Sequence, residues 1–327
     1  MRTHQTTSYA EALAVLSDPR LSVGPPAVAS LDPIDALRRQ LCRFSDGADH
    51  ARRRVIVVDR LADLLPSAVR TGAAERTTRT LAPIPVGSTI DLMATIARTV
   101  PLQVLADLLG VDVAPADVIA IVVGLRPTAA DGERLAAAAT ADAVLGCPGF
   151  GAIGTEVRAN LLGLLIQTCD ATAGLIGAAV LQASRTVGVS PEAAVDEVLR
   201  LEPPVVLTRR FSAGPDTELL VDLDRATRDP EAPAGARPTF GLGPRACPGA
   251  DLAVALAVGV LEAVAELVDL SRARHIGTEV HPNLRVPALI VVTRREPVGI
   301  GGAGVPPIHT GTRGQEADAL QPGSRPR

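Results

Sequence analysis

A glycine-punctuated loop, Phe240–Gly249, brings a cysteine to the start of an apolar segment and constrains the fold more than any other stretch. Its two inner glycines allow turns that other residues rarely adopt, so the loop can lie flat against a large ligand. Pro248 follows Cys247, and proline is favoured at the first position of a helix. Periodicity then predicts a helix over 250–270. Since free amides at a helix start stabilise a thiolate, Cys247 is predicted to ligate a metal.

Composition excludes several classes of function. The 327 residues are 47% hydrophobic, which is enough to bury a full core, and the net charge of −4 argues against a nucleic-acid-binding protein. The four cysteines have no paired spacing, so neither a zinc site nor a disulfide framework is indicated, and a reduced cytoplasm is favoured. Acidic residues interrupt the apolar runs before they could span a bilayer, so no membrane association is predicted.

The cysteine loop resembles the iron-ligand loop of the cytochrome P450 superfamily, whose pattern Phe-Gly-x-Gly-x-(His or Arg)-x-Cys-x-Gly it matches at every defined position. The resemblance implies haem b as cofactor and Cys247 as its metal ligand. It also implies cofactor contacts from the other defined positions, which are Phe240, Gly241, Gly243, Arg245 and Gly249. From the residues alone, Cys247 could instead be a buried free cysteine that opens a helix.

Two further segments resemble the family's propionate-binding residues. His50 and Arg54 are four apart on a predicted helix and therefore share a face. They resemble a His-x-x-x-Arg pair that binds a haem propionate, although a basic stripe is also typical of a solvated surface. Arg210 stands at the last position of a Pro-Val-x-x-x-x-Arg segment, with Arg209 as a close alternative, and the resemblance gives this arginine a propionate as well.

A long proline-free run, which Thr155 is predicted to cap, is predicted to be a helix that continues to about Thr186. Its middle resembles the family segment that lies over the haem, where an acid and the following alcohol guide protons. Here the acid is Asp170, but Ala171 replaces the alcohol. The Thr168 or Thr172 hydroxyl, or a water held by the substrate-facing Gln167, could take over this role, or both hydroxyls could bond their own helix carbonyls.

The next helix, which Ser190 is predicted to cap, ends with Glu197 and Arg200, which are three apart and able to pair. They resemble a buried Glu-x-x-Arg lock behind the cysteine loop, although such a pair is usually a surface bridge. Only nine residues, Glu231 to Thr239, precede Phe240, where the family has a longer meander that supplies a third lock residue; Arg237 is a weak candidate for that role. Val205 and Val206 open a predicted strand that would face the substrate.

We therefore expect a mainly helical P450-like domain with a small β part over residues 1–295, shortened at the N-terminus and in the meander. No strand is expected before the first helix, which Ser8 is predicted to cap, and Asp49 is predicted to cap the helix that carries His50. A strand pair is expected near 283–293. The stretch 296–327 lacks periodicity and is predicted to be a disordered Gly/Pro-rich tail.

The resemblance implies an oxidoreductase: a haem-thiolate monooxygenase that hydroxylates or similarly oxidises a small molecule. A ferredoxin-type electron donor, a cytoplasmic location and a role in bacterial secondary metabolism are expected with it. Two alternatives stay open. Ala171 suggests peroxide-dependent oxidation, dehydration or rearrangement, and the shortened regions suggest a non-catalytic helper of a partner enzyme.

Overall fold

The computed structural model describes residues 2–24, 33–186, 188–212 and 217–297. Helices dominate these residues. Their bounds are α1 (Tyr9–Ser17), α2 (Pro33–Arg38), α3 (Gly47–Ala62), α4 (Pro66–Leu81), α5 (Thr99–Leu109), α6 (Pro115–Leu125), α7 (Asp131–Gly146), α8 (Thr155–Arg185), α9 (Pro191–Leu201), α10 (Leu223–Arg228) and α11 (Ala250–Leu267). A π-helical turn, Met93–Ala97, precedes α5.

Six strands form two small sheets within the described ranges: β1 (Arg2–Gln5), β2 (Thr89–Asp91), β3 (Leu207–Phe211), β4 (Thr217–Asp222), β5 (Val268–Thr278) and β6 (Pro287–Arg294). In the first sheet, β4 pairs parallel with β1 and antiparallel with β3. In the second, β6 lies between β2 and β5 and is antiparallel to both. The predicted fold class, mainly α with a small β part, is confirmed. The expectation that no strand precedes α1 is wrong, because β1 does.

The core is built around α8, whose residues are almost all buried from Ala159 to Leu165 and from Thr172 to Gly177. By length and composition α8 could cross a membrane, but 72% of its apolar window is buried inside the protein. It is therefore the central helix of a hydrophobic core.

A close contact between α4 and α11 fixes the helix that follows the cysteine loop. A Cβ atom at Gly259 of α11 would lie only 2.1 Å from the carbonyl oxygen of Arg70 in α4. Only glycine fits there, and the two helix backbones approach one another directly. The cysteine loop is thus followed by a helix whose position against α4 is fixed by close packing.

Several helix starts agree with the sequence, and others differ. The Ser8 and Ser190 hydroxyls accept hydrogen bonds from backbone N–H groups at the starts of α1 and α9. Helix α3 begins at Gly47, so Asp46 rather than Asp49 holds the cap position. The residue before α8 is Gly154, and Thr155 is the first helical residue. The predicted tail, 296–327, lies outside the described residues apart from its first two, so it stays a prediction.

Candidate functional site

The cysteine loop is held in shape by its glycines and one backbone hydrogen bond. Gly241 and Gly243 have φ of 76° and 67°, the left-handed region in which a side chain is strained. The Cys247 N–H donates to the Phe240 carbonyl at 2.7 Å and closes the loop. Helix α11 begins at Ala250, so Pro248 is not its first residue as predicted. The Gly249 backbone amide nevertheless acts on Cys247 and lowers the pKa of its thiol.

The Cys247 thiol lines a concave space. Its side chain is exposed, yet the surrounding protein desolvates the sulfur and raises its pKa. A group that is accessible and also surrounded by protein lies in the wall of a cavity. The Gly249 amide and the charges of Arg54 and Arg43 oppose the rise in pKa. These donors favour the thiolate, which is the form that binds metals.

Basic side chains of α3 and of the loop itself tie this loop to α3 and to the residues just before it. Arg54 of α3 donates to the Ala246 carbonyl at 2.7 Å, which ties α3 to the residue before the cysteine. Arg245 donates to the Ser45 carbonyl and to an Asp46 carboxylate oxygen, each at 2.7 Å. His50 lies in the same field: burial lowers its pKa first, and Arg245 and Arg54 lower it further.

Arg210 of β3 is a buried cation that lacks an acidic partner among the described residues. It is 7% exposed, and its guanidinium donates to the neighbouring Arg209 carbonyl at 2.8 Å. Burial, followed by repulsion from Arg245, lowers its pKa to about 10. Arg209 instead pairs with Glu218 at 3.3 Å and is largely exposed. A buried charge is stable only when it is paired, so we expect an anion to bind beside Arg210. A porphyrin with carboxylate side chains fits this donor set.

The middle of α8 presents an accessible face. Residues 166–168 and 171 are exposed or half-buried, whereas their neighbours along the helix are buried. Gln167 donates to the Gly163 carbonyl and Thr168 to the Leu164 carbonyl, each at 2.9 Å. Ala171 on this face brings no hydroxyl. Thr172 is 4% exposed, and its hydroxyl makes no hydrogen bond to any residue that the structure describes. Self-bonding therefore holds for Thr168 and not for Thr172.

Asp170 lies in a buried ion network. Its carboxylate accepts from Arg126 at 2.9 Å and lies 3.5 Å from the Arg98 guanidinium. Both arginines also pair with Glu279, at 2.5 Å from Arg98 and 3.2 Å from Arg126. His281 lies 2.9 Å from Glu279 and 3.8 Å from Asp170, and its hydrogen bond is the main reason that the Glu279 pKa falls to about 2.

The partners of Asp170 carry no sequence signal, because they come from separate segments without a shared motif. Asp170, Glu279 and His281 are close enough to hold a metal ion, with ligand atoms within 4.8 Å of one another. The two arginines already neutralise both carboxylates, so the group is an ion-pair network rather than a metal site.

The Glu197–Arg200 pair forms, with contacts of 2.8 and 2.9 Å, but the Arg200 side chain is 64% exposed. The expectation of a buried lock is therefore wrong, because the short stretch before Phe240 leaves the pair uncovered. Arg237 does not join it and donates to Asp196 at 2.7 Å.

The segment before β3 packs against α8, and its two valines are half-buried. Val205 bridges antiparallel to Leu284, and Val206 donates its N–H to the Asn283 carbonyl at 3.0 Å. A Cβ atom at Gly174 of α8 would lie 3.1 Å from the side chain of Pro204, which precedes Val205. Both valines are half-buried, and that they face a substrate stays a prediction.

Comparison with solved structures identifies the fold. P450BioI, solved in complex with acyl carrier protein ligated to hexadec-9Z-enoic acid, matches with a TM-score of 0.71 at 17% identity, over 89% of this chain and 91% of that one. CYP154C4 from Streptomyces sp. W2061 matches at 0.70 and 23%, over 90% of each chain. A thermophilic cytochrome P450 from Sulfolobus tokodaii matches at 0.67 and 21%, over 89% of this chain and 94% of that one. No family model and no curated protein matches the sequence.

The chain has the cytochrome P450 fold. The resemblance predicted from the cysteine loop is confirmed at the level of the fold, over about 90% of the chain.

Proposed function

We propose that the protein is a haem-thiolate oxidoreductase of the P450 type, a monooxygenase that oxidises a small molecule. The observation that carries the proposal is Cys247, which is accessible yet surrounded by protein and lies in the loop whose Arg245 acts on the buried cation Arg210. Haem b would be held by the Cys247 sulfur on its iron, with its carboxylates bound by His50, Arg54, Arg210 and Arg245. When bound, the haem supplies the oxygen chemistry.

The chain's own residues would tune the charge on the Cys247 sulfur and would orient the substrate. The Gly249 backbone amide lowers the pKa of the Cys247 thiol, which is one way a protein would tune a thiolate ligand. Gln167 and Ala171 lie on the accessible face of α8, and Val205 and Val206 follow Pro204, which packs on Gly174 of the same helix. The aliphatic side chains among these, Ala171, Val205 and Val206, would orient an apolar substrate.

A ferredoxin-type electron donor, a cytoplasmic location and a role in bacterial secondary metabolism belong to this proposal. Among the structural neighbours is CxnD, whose role is C–S bond formation in chuangxinmycin biosynthesis, at a TM-score of 0.70 and 19% identity. Such neighbours support a biosynthetic role without defining the substrate.

The reduced carbon monoxide spectrum of the purified protein tests the haem assignment. We expect a thiolate-type band in the wild type and its loss in Cys247→Ser, with Cys147→Ser as a matched control that keeps the band. A band that survives in Cys247→Ser would remove this cysteine as the ligand. A wild-type protein that takes up no haem would favour the non-catalytic helper.

A second candidate is a haem protein that uses peroxide or performs no net oxidation, such as a dehydratase. It is favoured by Ala171 on the accessible face and by Asp170, whose carboxylate is bound by two arginines. Product formation with added hydrogen peroxide but not with reductant and dioxygen would support it.

A further inference from the structure

The short 3₁₀ segment Cys42–Phe44 is fixed against α8. The Cys42 N–H donates to the Asn160 side-chain oxygen at 2.8 Å, and the Asn160 amide donates to the Gln40 carbonyl at 3.1 Å. Asn160 is buried in α8. The backbone that carries Arg43 therefore has a defined place on the central helix.

This segment adjoins the accessible face of α8. A Cβ atom at Gly163 would lie 3.1 Å from the Leu41 side chain, so Leu41 packs directly on that glycine. Gln167, one turn further along, shares the face of Gly163 and donates to its carbonyl. Arg43 thus belongs to a segment that lies beside the α8 face carrying Ala171.

The Arg43 side chain lacks a hydrogen bond or ion pair with the described part of the chain. Its guanidinium carbon lies 5.9 Å from the centre of the Phe44 ring. The Arg43 side chain is accessible, but the surrounding protein atoms desolvate its charge and lower its pKa. Attraction to Cys247 opposes this shift. Like Cys247, it is accessible and surrounded by protein, so it borders the same concave space.

A neighbouring arginine, Arg53, has the partners that Arg43 lacks. Arg53 donates to Glu156 at 2.9 Å and to the Arg39 carbonyl at 2.7 Å. Both arginines are desolvated to some degree, but only Arg53 has its charge matched by the protein.

The charges near Cys247 leave Arg43 in excess. Arg54, Arg210 and Arg245 face one acidic neighbour, Asp46, so two positive charges remain, and the two carboxylates of a haem match them. The charges of His50, Arg54 and Arg245 act on one another, whereas Arg43 is attracted to Cys247 and repels Arg210. Arg43 thus adds a positive charge beyond the two that the haem carboxylates would match.

We propose that Arg43 binds a carboxylate group of the substrate, which makes the substrate an aliphatic carboxylic acid. The inference rests on the proposed function. A guanidinium recognises a carboxylate through two parallel hydrogen bonds. Of the accessible residues named above, Ala171, Val205 and Val206 are aliphatic and Gln167 is polar but uncharged, and aromatic residues make up only 2% of the chain. An acid with an aliphatic body matches both features.

Equilibrium titration of the haem-loaded protein with two probes tests this. Dodecanoate and dodecan-1-ol have the same aliphatic chain and differ at the charged end; binding is followed by calorimetry and by the shift of the haem absorption band. We expect the wild type to bind dodecanoate at least ~10-fold more tightly, as is typical of a hydrogen bond to a charged group. Arg43→Met should remove that preference without changing the affinity for the alcohol, and Arg43→Lys should keep part of it.

Arg272→Met, at an exposed arginine on β5, is the matched control and should keep the full preference. Equal affinity for both probes in the wild type, no binding of either probe, or an unchanged preference in Arg43→Met would each overturn the proposal. Loss of haem from Arg43→Met would also overturn it, by assigning Arg43 to the cofactor. These results leave the proposed function standing, whereas a wild type without the thiolate-type carbonyl band overturns both.

Discussion

Arg126 donates to the Asp170 carboxylate across 2.9 Å and so joins the end of α6 to the middle of the central helix. Arg98, before α5, and Glu279, after β5, complete the connection. Four separate segments are held together beside the accessible face of α8. Asp170, which the sequence suggested as a proton guide, therefore also links the elements around the site.

Asp170→Asn should destabilise the protein by roughly 3–5 kcal/mol, because removing one partner of a buried pair strands the opposite charge. The free energy of unfolding in urea measures this. Asp196→Asn is the matched control, since Asp196 is an exposed partner of Arg237, and its loss should cost at most ~1 kcal/mol. Equal effects of the two substitutions would show that the Asp170 network contributes no more than a surface bridge.

Glu197→Gln should have little effect, at most ~1 kcal/mol, because Arg200 is exposed and solvent screens the pair. Haem content and melting temperature of the purified variant should match those of the wild type. A variant that fails to fold or to bind haem would contradict the exposed geometry and restore a buried lock.

Local patterns predicted much of the fold. Ser8 and Ser190 cap their helices because a hydroxyl before a periodic run satisfies the first free amides, and this depends only on nearby residues. The strand β1 was missed because Arg2–Gln5 has no apolar alternation. It exists through parallel pairing with β4, a partner more than two hundred residues away.

The site was predicted as far as sequence spacing encodes it. The residues around Cys247 form one motif, whereas Arg98, Arg126, Glu279 and His281 meet only in the fold. The burial expected of Arg200 failed for a related reason: burial depends on what covers a residue, and the short stretch before Phe240 covers too little. Spacing predicts which residues share a helix face but not what packs against it.

Stability at acidic pH should depend on Glu279. Its pKa is lowered from 4.5 to about 2, first by the His281 hydrogen bond and then by Arg98 and Arg126. A depressed folded-state pKa means that the contribution is complete above pH 4.5 and is lost as the pH falls towards 2. The difference in unfolding free energy between wild type and Glu279→Gln should shrink over this window, and a difference that is constant with pH would contradict it.

Thr172 should be the hydroxyl that supports turnover, and Thr168 should not. The Thr168 proton is engaged by the Leu164 carbonyl, whereas the Thr172 hydroxyl has no hydrogen-bond partner within the described residues. With reductant and dioxygen, Thr172→Val should lower product formation by about 10²-fold, the usual contribution of a general acid, while consumed electrons appear as hydrogen peroxide. Thr168→Val has the same change of side chain on the same helix and should keep wild-type coupling. If both variants and the double variant stay fully coupled, neither hydroxyl carries protons, and the peroxide-using candidate gains support.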